Sequence, residues 1–501
     1  MKTPFTCALS LLLASLLFLS SCGTQPAAED KSGPSPSEQD NAPAGVDSDA
    51  EGEAADPADL ETEPSYPPPD LNGLDYGGGT VSFLAPDWGT HSLQYTEDLN
   101  GDAVNDAVYN RMIDVENALN IDLLWTWTAE ASEVHPTVIR SVHAGDDDYQ
   151  IVYTHCIHGL SDLVTQGALY DLYDLPHTDF AAPWWDDAMM EDFRIGSKLC
   201  YAAGDLILQS SACALFNKTI AENYGLPDHY ELVRNGEWTY DRFIEYASSV
   251  TLDLNGDGKI DLHDQTGFAG DLTERATDIV FFCGERCTRR GDEGLELVFW
   301  SDKMVELYEK TYAYFMNPEV SNAYFRSRNP EHQTFDEGKA LYTFTFVNGI
   351  PELRDSDVEF GILPGPKYDE AQESYISNAW PCFVCVPLTI ADPDRTGAAL
   401  ELFCYESGDI QKAYNEVLIR GKTARDQESL EMLDIIGDGM TCDIGGGYLG
   451  FDSSFHSIYY CFYELMPEYN ENIASHYKRV EKIVVKTLER LYKQVRQAEK
   501  R

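Results

Sequence analysis

The chain of 501 residues is strongly acidic, with 86 Asp and Glu against 35 Lys and Arg and a formal net charge of −51. Binding of phosphate backbones depends on clustered Lys and Arg, so this composition argues against a nucleic-acid partner. The length suffices for one large domain or for two ordinary domains.

The first 22 residues predict export and attachment to a membrane. The apolar run from Ala8 to Leu19 is shorter than the roughly 20 residues that span a bilayer, and it is typical of a secretory signal. Small residues before Cys22 resemble a bacterial lipobox, in which that cysteine becomes the lipidated first residue. An ordinary secretory signal with an incidental cysteine is the alternative. We expect acyl chains such as palmitate on Cys22 to anchor the protein in the cell membrane, facing the extracellular or periplasmic side.

Residues 23–72 predict a disordered tether. This segment holds 13 acidic residues, nine prolines and a single aromatic residue, Tyr66. Such a composition cannot bury enough apolar surface to offset the conformational entropy lost on folding. As a flexible coil it would reach about 40 Å from the anchor.

After the tether, alternating strand and helix patterns predict an α/β fold. Strand, helix, strand in this order favours a parallel sheet with crossover helices. The predicted elements are strand 80–85, helix 105–120, strands 121–125 and 149–153 with a helix between them, strand 213–216, helix 239–250, and strands 340–346 and 383–386.

The C-terminus predicts a long amphipathic helix. One face is marked by Tyr477, Val480, Val484, Leu488, Leu491 and Val495. Residues 473–501 carry nine basic and three acidic side chains. A basic contact surface is one interpretation, but we expect a helix that caps the domain, with cations near its C-terminal dipole.

One loop has the spacing of a calcium site. Hard Ca²⁺ prefers six to eight oxygen ligands, and an EF-hand-like loop supplies them at fixed positions around a glycine turn. Gly258 stands at that turn, and the predicted ligands of a structural Ca²⁺ are Asp253, Asn255, Asp257, the Lys259 carbonyl, Asp261 and Asp264. An Asx-rich turn without metal is the alternative.

A second copy of the same five residues serves as an internal comparison. Asp98–Asp102 repeats the start of the loop, but Ala103 replaces the turn glycine. We expect this copy to cap the helix at 105–120 rather than to bind metal.

Three motifs typical of enzymes do not occur in the chain. The phosphate-binding G-x-x-x-x-G-K, the G-x-S-x-G elbow and the zinc motif H-E-x-x-H are all missing. Aromatic residues make up 12% of the chain, and their faces stack on sugar rings while their polar edges stay wet. Trp88 and Trp380 flank predicted strands, where ligands of α/β proteins bind, so both are candidate ligand residues. The remaining tryptophans are predicted to pack in the core.

Several segments resemble the bacterial extracellular solute-binding proteins of ABC importers, in particular the maltose-type sugar binders. The resemblance covers most of residues 78–500. It rests on the order and spacing of Tyr149-Gln-Ile-Val, Gly167-Ala-Leu-Tyr-Asp-Leu, Ala214-Leu-Phe-Asn-Lys, Gly236-Glu-Trp-Thr, Phe335-Asp-Glu-Gly-Lys-Ala-Leu and Phe360-Gly-Ile-Leu-Pro-Gly-Pro-Lys.

The resemblance implies a type II periplasmic-binding-protein-like fold, in which two α/β lobes joined by crossing hinge segments close on a ligand. The first lobe would comprise residues 73–205 and 346–390. The second would comprise residues 206–345 and 391–501, including the C-terminal helix.

The resemblance also implies ligand-facing positions. These would be Thr154, His155, Ser210 and Asn348, the last standing where relatives often carry an aromatic residue. The expected function is capture of a solute, a mono- or oligosaccharide, by a monomer that delivers it to ABC permease subunits without chemistry. A peptide or amino-acid binder, a secreted glycoside hydrolase and an adhesin are the alternatives.

Overall fold

The computed structural model describes residues 66–87, 93–156, 158–270, 272–291, 294–321, 333–353, 356–421, 426–450 and 452–500. Cys22, most of the predicted tether and Trp88 lie outside the described residues. The compact unit begins at Tyr66, and Leu71 and Leu74 pack against its core. The folded part therefore starts slightly before the predicted boundary at residue 73.

The described elements follow the alternation that the sequence predicts. The strands are β1 Gly79–Pro86, β2 Ile121–Thr128, β3 Ile151–His155, β4 Ala212–Asn217, β5 Thr266–Phe268, β6 Thr288–Gly291, β7 Gly294–Leu297, β8 Ala340–Phe346, β9 Phe360–Leu363, β10 Ser377–Asn378, β11 Cys382–Cys385 and β12 Met440–Thr441.

The α-helices are α1 Ala103–Leu119, α2 Val134–Ala144, α3 Leu160–Gln166, α4 Asp187–Phe193, α5 Lys218–Asn223, α6 His229–Arg234, α7 Tyr240–Ser249, α8 Leu272–Phe282, α9 Asp302–Phe315, α10 Gln333–Asp336, α11 Pro393–Tyr405, α12 Gly408–Lys412, α13 Gln427–Asp438, α14 Ile444–Leu449, α15 Ser453–Tyr459, α16 Cys461–Leu465 and α17 Ile473–Ala498. A π-helical segment, Ala413–Gly421, follows α12.

The sheet of the first lobe has the strand order β11-β3-β1-β2. Strand β1 pairs in parallel with both β2 and β3, and α1 and α2 form the connections. This confirms the predicted parallel sheet. Strand β11 returns late in the chain and pairs antiparallel with β3.

Helix α1 shows how local sequence fixes an element. Asp102 caps it, because its carboxylate accepts hydrogen bonds from the N–H groups of Val104 and Asn105. At the other end, Asn120 adopts a left-handed conformation with φ 49° and stops the helix. The second copy of the loop motif is a helix cap, as predicted.

The sheet of the second lobe has the strand order β5-β8-β4-β9. Strand β9 belongs to this sheet, although the predicted first lobe spans residues 346–390. After β8 the chain turns through the 3₁₀ segment Val347–Leu353 and pairs antiparallel with β4, with Phe360 opposite Asn217. The chain therefore leaves the second lobe later than the sequence suggests.

The two sheets are joined by two crossing segments that lie side by side. The outgoing segment runs between Ala202, which bridges to Val384, and Ser211, which bridges to Ala379. The return segment approaches β11 through Ala379. Helix α11 then packs against α1 and β1, so it belongs with the first sheet. The sequence prediction placed it in the second lobe, within residues 391–501.

The C-terminal helix α17 packs across both lobes. It contacts α3 of the first lobe, and β7 and α9 beside the second sheet. Its buried apolar residues include Val484, Leu488, Leu491 and Val495, which confirms the predicted face. Among the described residues, no helix combines the length and apolarity that crossing a membrane requires.

Candidate ligand site between the lobes

The end of β8 is tied to the outgoing crossing segment. Ser210 Oγ donates a hydrogen bond to Asn348 Oδ1 at 2.9 Å, and the Asn348 N–H donates to Ser210 Oγ at 3.1 Å. The Val347 N–H donates to the Ser211 carbonyl at 3.0 Å. Because Ser211 also bridges to Ala379, three segments that link the sheets meet at one place.

An aromatic contact connects the two lobes at this junction. The Trp380 ring lies 6.2 Å from the His155 ring of β3 and 6.0 Å from the Phe346 ring of β8, measured between centroids. Both contacts are close to edge-on. Trp380 therefore touches the last residue of a strand in each lobe.

A buried ion pair continues the contact into the second lobe. The Arg275 guanidinium lies 4.9 Å from the centre of the Phe346 ring. Its Nη1 donates to Asp278 Oδ2 at 2.7 Å, and these side chains are only 3% and 1% exposed. Asn378 Nδ2 donates to Asp278 Oδ1 at 2.8 Å. Buried charges persist where they are paired and hydrogen-bonded in this way.

We call these six residues the interlobe array: His155, Arg275, Asp278, Phe346, Asn378 and Trp380. Within the described part of the chain, Trp380 Nε1 and Asn378 Oδ1 are buried without a hydrogen-bond partner. One is a donor and the other an acceptor. A buried unpaired polar atom costs about 1–3 kcal/mol, and because neither atom is open to solvent, a ligand would pair with one only after the side chains around it move apart.

The described part of the chain has two sizeable cavities, of which the first borders the junction. One of about 740 Å³ is lined by Ser210, Gln209 and Trp185, together with residues of α13. Another of about 650 Å³ is lined by His158, Tyr448 and Arg490. The His158 ring lies 5.5 Å from the buried His155 ring, but no member of the interlobe array lines the second cavity. Both volumes are within the range of small-molecule sites.

Comparison with solved structures identifies the architecture, whereas no protein-family profile and no curated protein matches the sequence. The galacto-N-biose-/lacto-N-biose I-binding protein of an ABC transporter from Bifidobacterium longum superimposes with a TM-score of 0.57. The GacH receptor of Streptomyces glaucescens gives 0.56, and maltose-bound T. maritima MalE3 gives 0.55.

The chain has the fold of the two-lobe solute-binding proteins. Identity to these three structures is 13%, 12% and 11%, and the matches cover 83%, 82% and 82% of this chain and 98%, 99% and 100% of theirs. The likeness confirms the predicted α/β two-lobe fold.

Within this solute-binding fold, four of the predicted ligand residues meet at the crossing segments. These are His155, Ser210, Asn348 and Trp380. Thr154 precedes His155 on β3 and is also buried, at 1% exposed, and its hydroxyl donates to the Phe383 carbonyl at 3.3 Å. Trp88 falls outside the described residues, so its assignment stays a prediction.

Sequence reasoning did not single out the other members of the interlobe array, which are Arg275, Asp278, Phe346 and Asn378. Arg275 and Asp278 stand three residues apart in the helix α8, where one basic and one acidic side chain on the same face signal a paired, buried site. Asn378 and Trp380 alternate along an extended segment, which places both on one side. Neither pattern is specific without knowledge of what packs against it.

The predicted calcium loop is folded by its own carboxylates. Asp253 accepts from the N–H groups of Gly256 and Gly258, and both glycines adopt positive φ, of 76° and 81°. Asp264 is buried, and hydrogen bonds from the N–H groups of Asp261 and Leu254 hold its pKa below the usual value. Across the described residues, no three His, Cys, Asp or Glu side chains converge closely enough to hold a metal ion.

Proposed function

We propose that this protein is a solute-binding lipoprotein that captures a carbohydrate and delivers it to an ABC permease without changing it chemically. The two-lobe fold supports capture, because ligand binding between lobes is what drives their closure. The superimposed structures contain lacto-N-biose, acarbose and maltose, which supports a sugar as the solute.

The composition of the interlobe array carries the proposal. Trp380 and Phe346 are partly exposed and offer aromatic surface for the C–H face of a sugar ring. Trp380 Nε1 and Asn378 Oδ1 are buried and unpaired among the described residues. A site with unpaired polar atoms discriminates strongly for a ligand that pairs them.

The proposed anchor explains how such a binder stays near its permease. Cys22 would carry the acyl chains, and the acidic segment that follows would let a monomeric binding domain reach about 40 Å from the surface. The protein would then work on the extracellular or periplasmic side of the cell membrane. Its partners would be the solute, the permease subunits and the lipid bilayer.

Calcium binding at the loop 253–264 is a separate proposal. The spacing in the sequence suits a hard cation, because four carboxylates, one amide and one carbonyl supply oxygen donors. Their side chains do not converge in the described structure and accept hydrogen bonds from backbone N–H groups instead, so they would have to turn towards the ion. The glycine conformations already provide the sharp turn. Bound Ca²⁺ would stabilise the segment between α7 and β5 and would take no part in solute capture.

Thermal unfolding against a sugar panel tests the main proposal. Ligand that binds only the folded state stabilises it by RT ln(1 + [L]/Kd), which is about 2.7 kcal/mol at 100 times Kd. We expect at least one mono- or oligosaccharide to raise the Tm, and the rise to grow with the logarithm of its concentration above Kd. Stabilisation by amino acids or peptides alone would contradict the assignment to sugars.

A further inference from the structure

The C-terminal helix α17 turns one face to the protein and the opposite face to solvent. Its buried apolar residues include Val484, Leu488, Leu491 and Val495. The opposite face carries four lysines, all exposed, which we call the lysine row: Lys478, Lys482, Lys486 and Lys493. Because 3.6 residues make one turn, these four positions fall within about 80° of the helix circumference, and the buried residues lie on the other side.

The charge of the lysine row is not neutralised by neighbouring side chains. Within the described part of the chain, none of its four members forms an ion pair. Other basic residues are paired: Arg490 Nη2 lies 3.3 Å from Asp452 Oδ2, and Arg234 Nη2 lies 2.7 Å from Glu431 Oε2. In a chain with a formal net charge of −51, the lysine row is therefore a local excess of positive charge.

The acidic residues of this helix and its end do not cancel that excess. Glu481 lies to one side and accepts a hydrogen bond from Tyr477 OH at 3.3 Å. Glu499, at the end of the helix, accepts from Ser197 Oγ at 2.9 Å. Of the three acidic residues, only Glu489 stands on the same face as the lysine row. This face keeps a net positive charge.

Two aliphatic side chains flank the lysine row and are open to solvent. Ile483 is 57% exposed and Val485 is 37% exposed. Their positions in the helical repeat place one on each side of the row. Aliphatic groups beside a basic face suit a partner that offers both anionic groups and hydrocarbon, as the surface of a bilayer does.

The shape of the lysine row also favours a flat anionic partner. Lys478 and Lys493 are roughly 22 Å apart along the axis at 1.5 Å per residue, so the charges form a straight line. An ammonium group is a compact point charge, whereas the planar guanidinium of arginine matches one carboxylate or phosphate with two bonds. A straight row of lysines therefore suits many interchangeable headgroups better than one defined acidic site.

The negative charge of the whole protein does not prevent such a contact. At an ionic strength of 0.15 M, exposed charges more than about 8 Å apart are largely screened. The attraction is then decided by the groups that face the surface. Clusters of about four to eight basic side chains on an amphipathic helix are typical of binding to anionic lipids.

We infer that the lysine row docks the folded domain on the anionic headgroups of the bilayer at which the protein is proposed to be anchored. The inference rests on that proposed placement and goes beyond it, because it names the surface that faces the lipid. Since α17 contacts α3 of the first lobe and α9 beside the second sheet, docking would hold both lobes close to the bilayer.

Vesicle flotation of the full-length chain carrying Cys22→Ala tests this inference without a contribution from acyl chains. One set of vesicles is phosphatidylcholine alone, and the other holds equal parts of phosphatidylcholine and phosphatidylglycerol. The neutral vesicles account for any binding through the apolar run of the signal. At about 0.15 M salt we expect at least tenfold tighter binding to the anionic vesicles. This preference should vanish at about 1 M salt, where the screening length is about 3 Å.

Charge reversal of the lysine row supplies the decisive variants. Lys486→Glu combined with Lys493→Glu should weaken binding to the anionic vesicles at least tenfold. Arg242→Glu combined with Lys412→Glu is the matched control, since it changes the net charge equally at exposed positions on α7 and α12, and it should cost less than twofold. Lys486→Gln with Lys493→Gln should weaken binding at least threefold, which keeps the test falsifiable if the reversed pair fails to fold.

Equal binding to both kinds of vesicle, or equal losses in the two charge-reversed pairs, would overturn the inference. Binding to polyglutamate but not to vesicles would also overturn it and would assign the lysine row to an acidic protein. In cell fractions, a wash with 1 M salt removes docking but not an acyl anchor, so the two contacts are separable. Sugar titration of the same preparations tests the proposed function independently, because solute capture does not require the lysine row.

Discussion

Ser210 and Asn348 are joined by two hydrogen bonds although they stand 138 positions apart in the chain. Their side chains tie the outgoing crossing segment to the end of β8, so each satisfies much of the other's hydrogen-bonding capacity. The pair therefore positions the junction on which the interlobe array is built. Whether the same atoms also touch the solute stays a prediction.

Ser210→Ala should destabilise the free protein more than it weakens binding. Removing the hydroxyl leaves the Asn348 N–H and amide oxygen without these partners, which costs about 1 kcal/mol or somewhat more. Urea unfolding should show that loss in the free energy of unfolding. A loss of solute affinity larger than tenfold, with unchanged stability, would instead make Ser210 a direct ligand residue.

Trp380→Phe should lower solute affinity about tenfold. The change keeps an aromatic ring but removes the buried Nε1–H that has no partner within the described chain, and one hydrogen bond corresponds to roughly that factor. Trp125→Phe is the control, because Trp125 Nε1 is also buried and unpaired there but lies on β2, away from the junction. Similar losses of affinity in both variants would refute the role given to Trp380.

Glu401 should make stability fall as the pH rises towards 7. Its carboxyl is 1% exposed, and burial raises its pKa from 4.5 to about 7, although the indole N–H groups of Trp184 and Trp185 favour its ionised form. The unfolded carboxyl ionises first, so the stabilisation is complete below pH 4.5 and is lost as the pH passes 7.

The matched variant for this prediction is Glu401→Gln. Between pH 4.5 and pH 8, the free energy of unfolding of the parent chain should fall relative to the variant by about 3 kcal/mol. Denaturant unfolding of both chains at a series of pH values measures this difference. The other carboxylates contribute the same pH dependence to both chains, so their contribution cancels when the two are subtracted. A difference that does not change with pH would mean that Glu401 titrates normally.

Calcium should raise the Tm through the loop 253–264. Chelation with EDTA should lower the Tm, and added Ca²⁺ should restore it. Asp253→Ala and Asp257→Ala should remove the response, because each would delete a predicted ligand. Asp98→Ala serves as the control in the second copy of the motif, which caps α1. An unchanged Tm on chelation would leave the loop as a turn without metal.

Cys22→Ala should release the protein from the membrane fraction. Several acyl chains hold a protein firmly, since each buried CH₂ contributes about 0.8 kcal/mol. Fractionation of cells expressing the parent and variant chains measures the change, with Cys7→Ala as the control inside the signal. Membrane association that survives Cys22→Ala would rule out this anchor.

Local sequence was enough to predict most of the first lobe. Strand β1, helix α1 and strand β2 have clear apolar periodicity, and Asp102 marks the cap of the helix between them. The lobe boundaries were harder to place, because β9 and α11 have local patterns that fit either lobe. Their positions depend on the pairing of β9 with β4 and on the packing of α11 against α1, which are long-range contacts.

The candidate site was predictable only in part, because it also depends on long-range contacts. His155 and Trp380 could be singled out because they adjoin strand ends. Arg275, Asp278 and Asn378 form a site only because they contact one another, and Asn378 stands 100 positions from Asp278 in the sequence. A single sequence shows that a helix holds an arginine and an aspartate, but it does not show which amide or ring will meet them.

Equilibrium dialysis of the purified chain against a mixed sugar panel, with mass spectrometry of the retained solute, tests the central claim most directly. We predict that one oligosaccharide is retained at one molecule per chain, that it is recovered intact, and that Trp380→Phe reduces its retention. Recovery of shortened sugars, or retention of no sugar at all, would contradict the account.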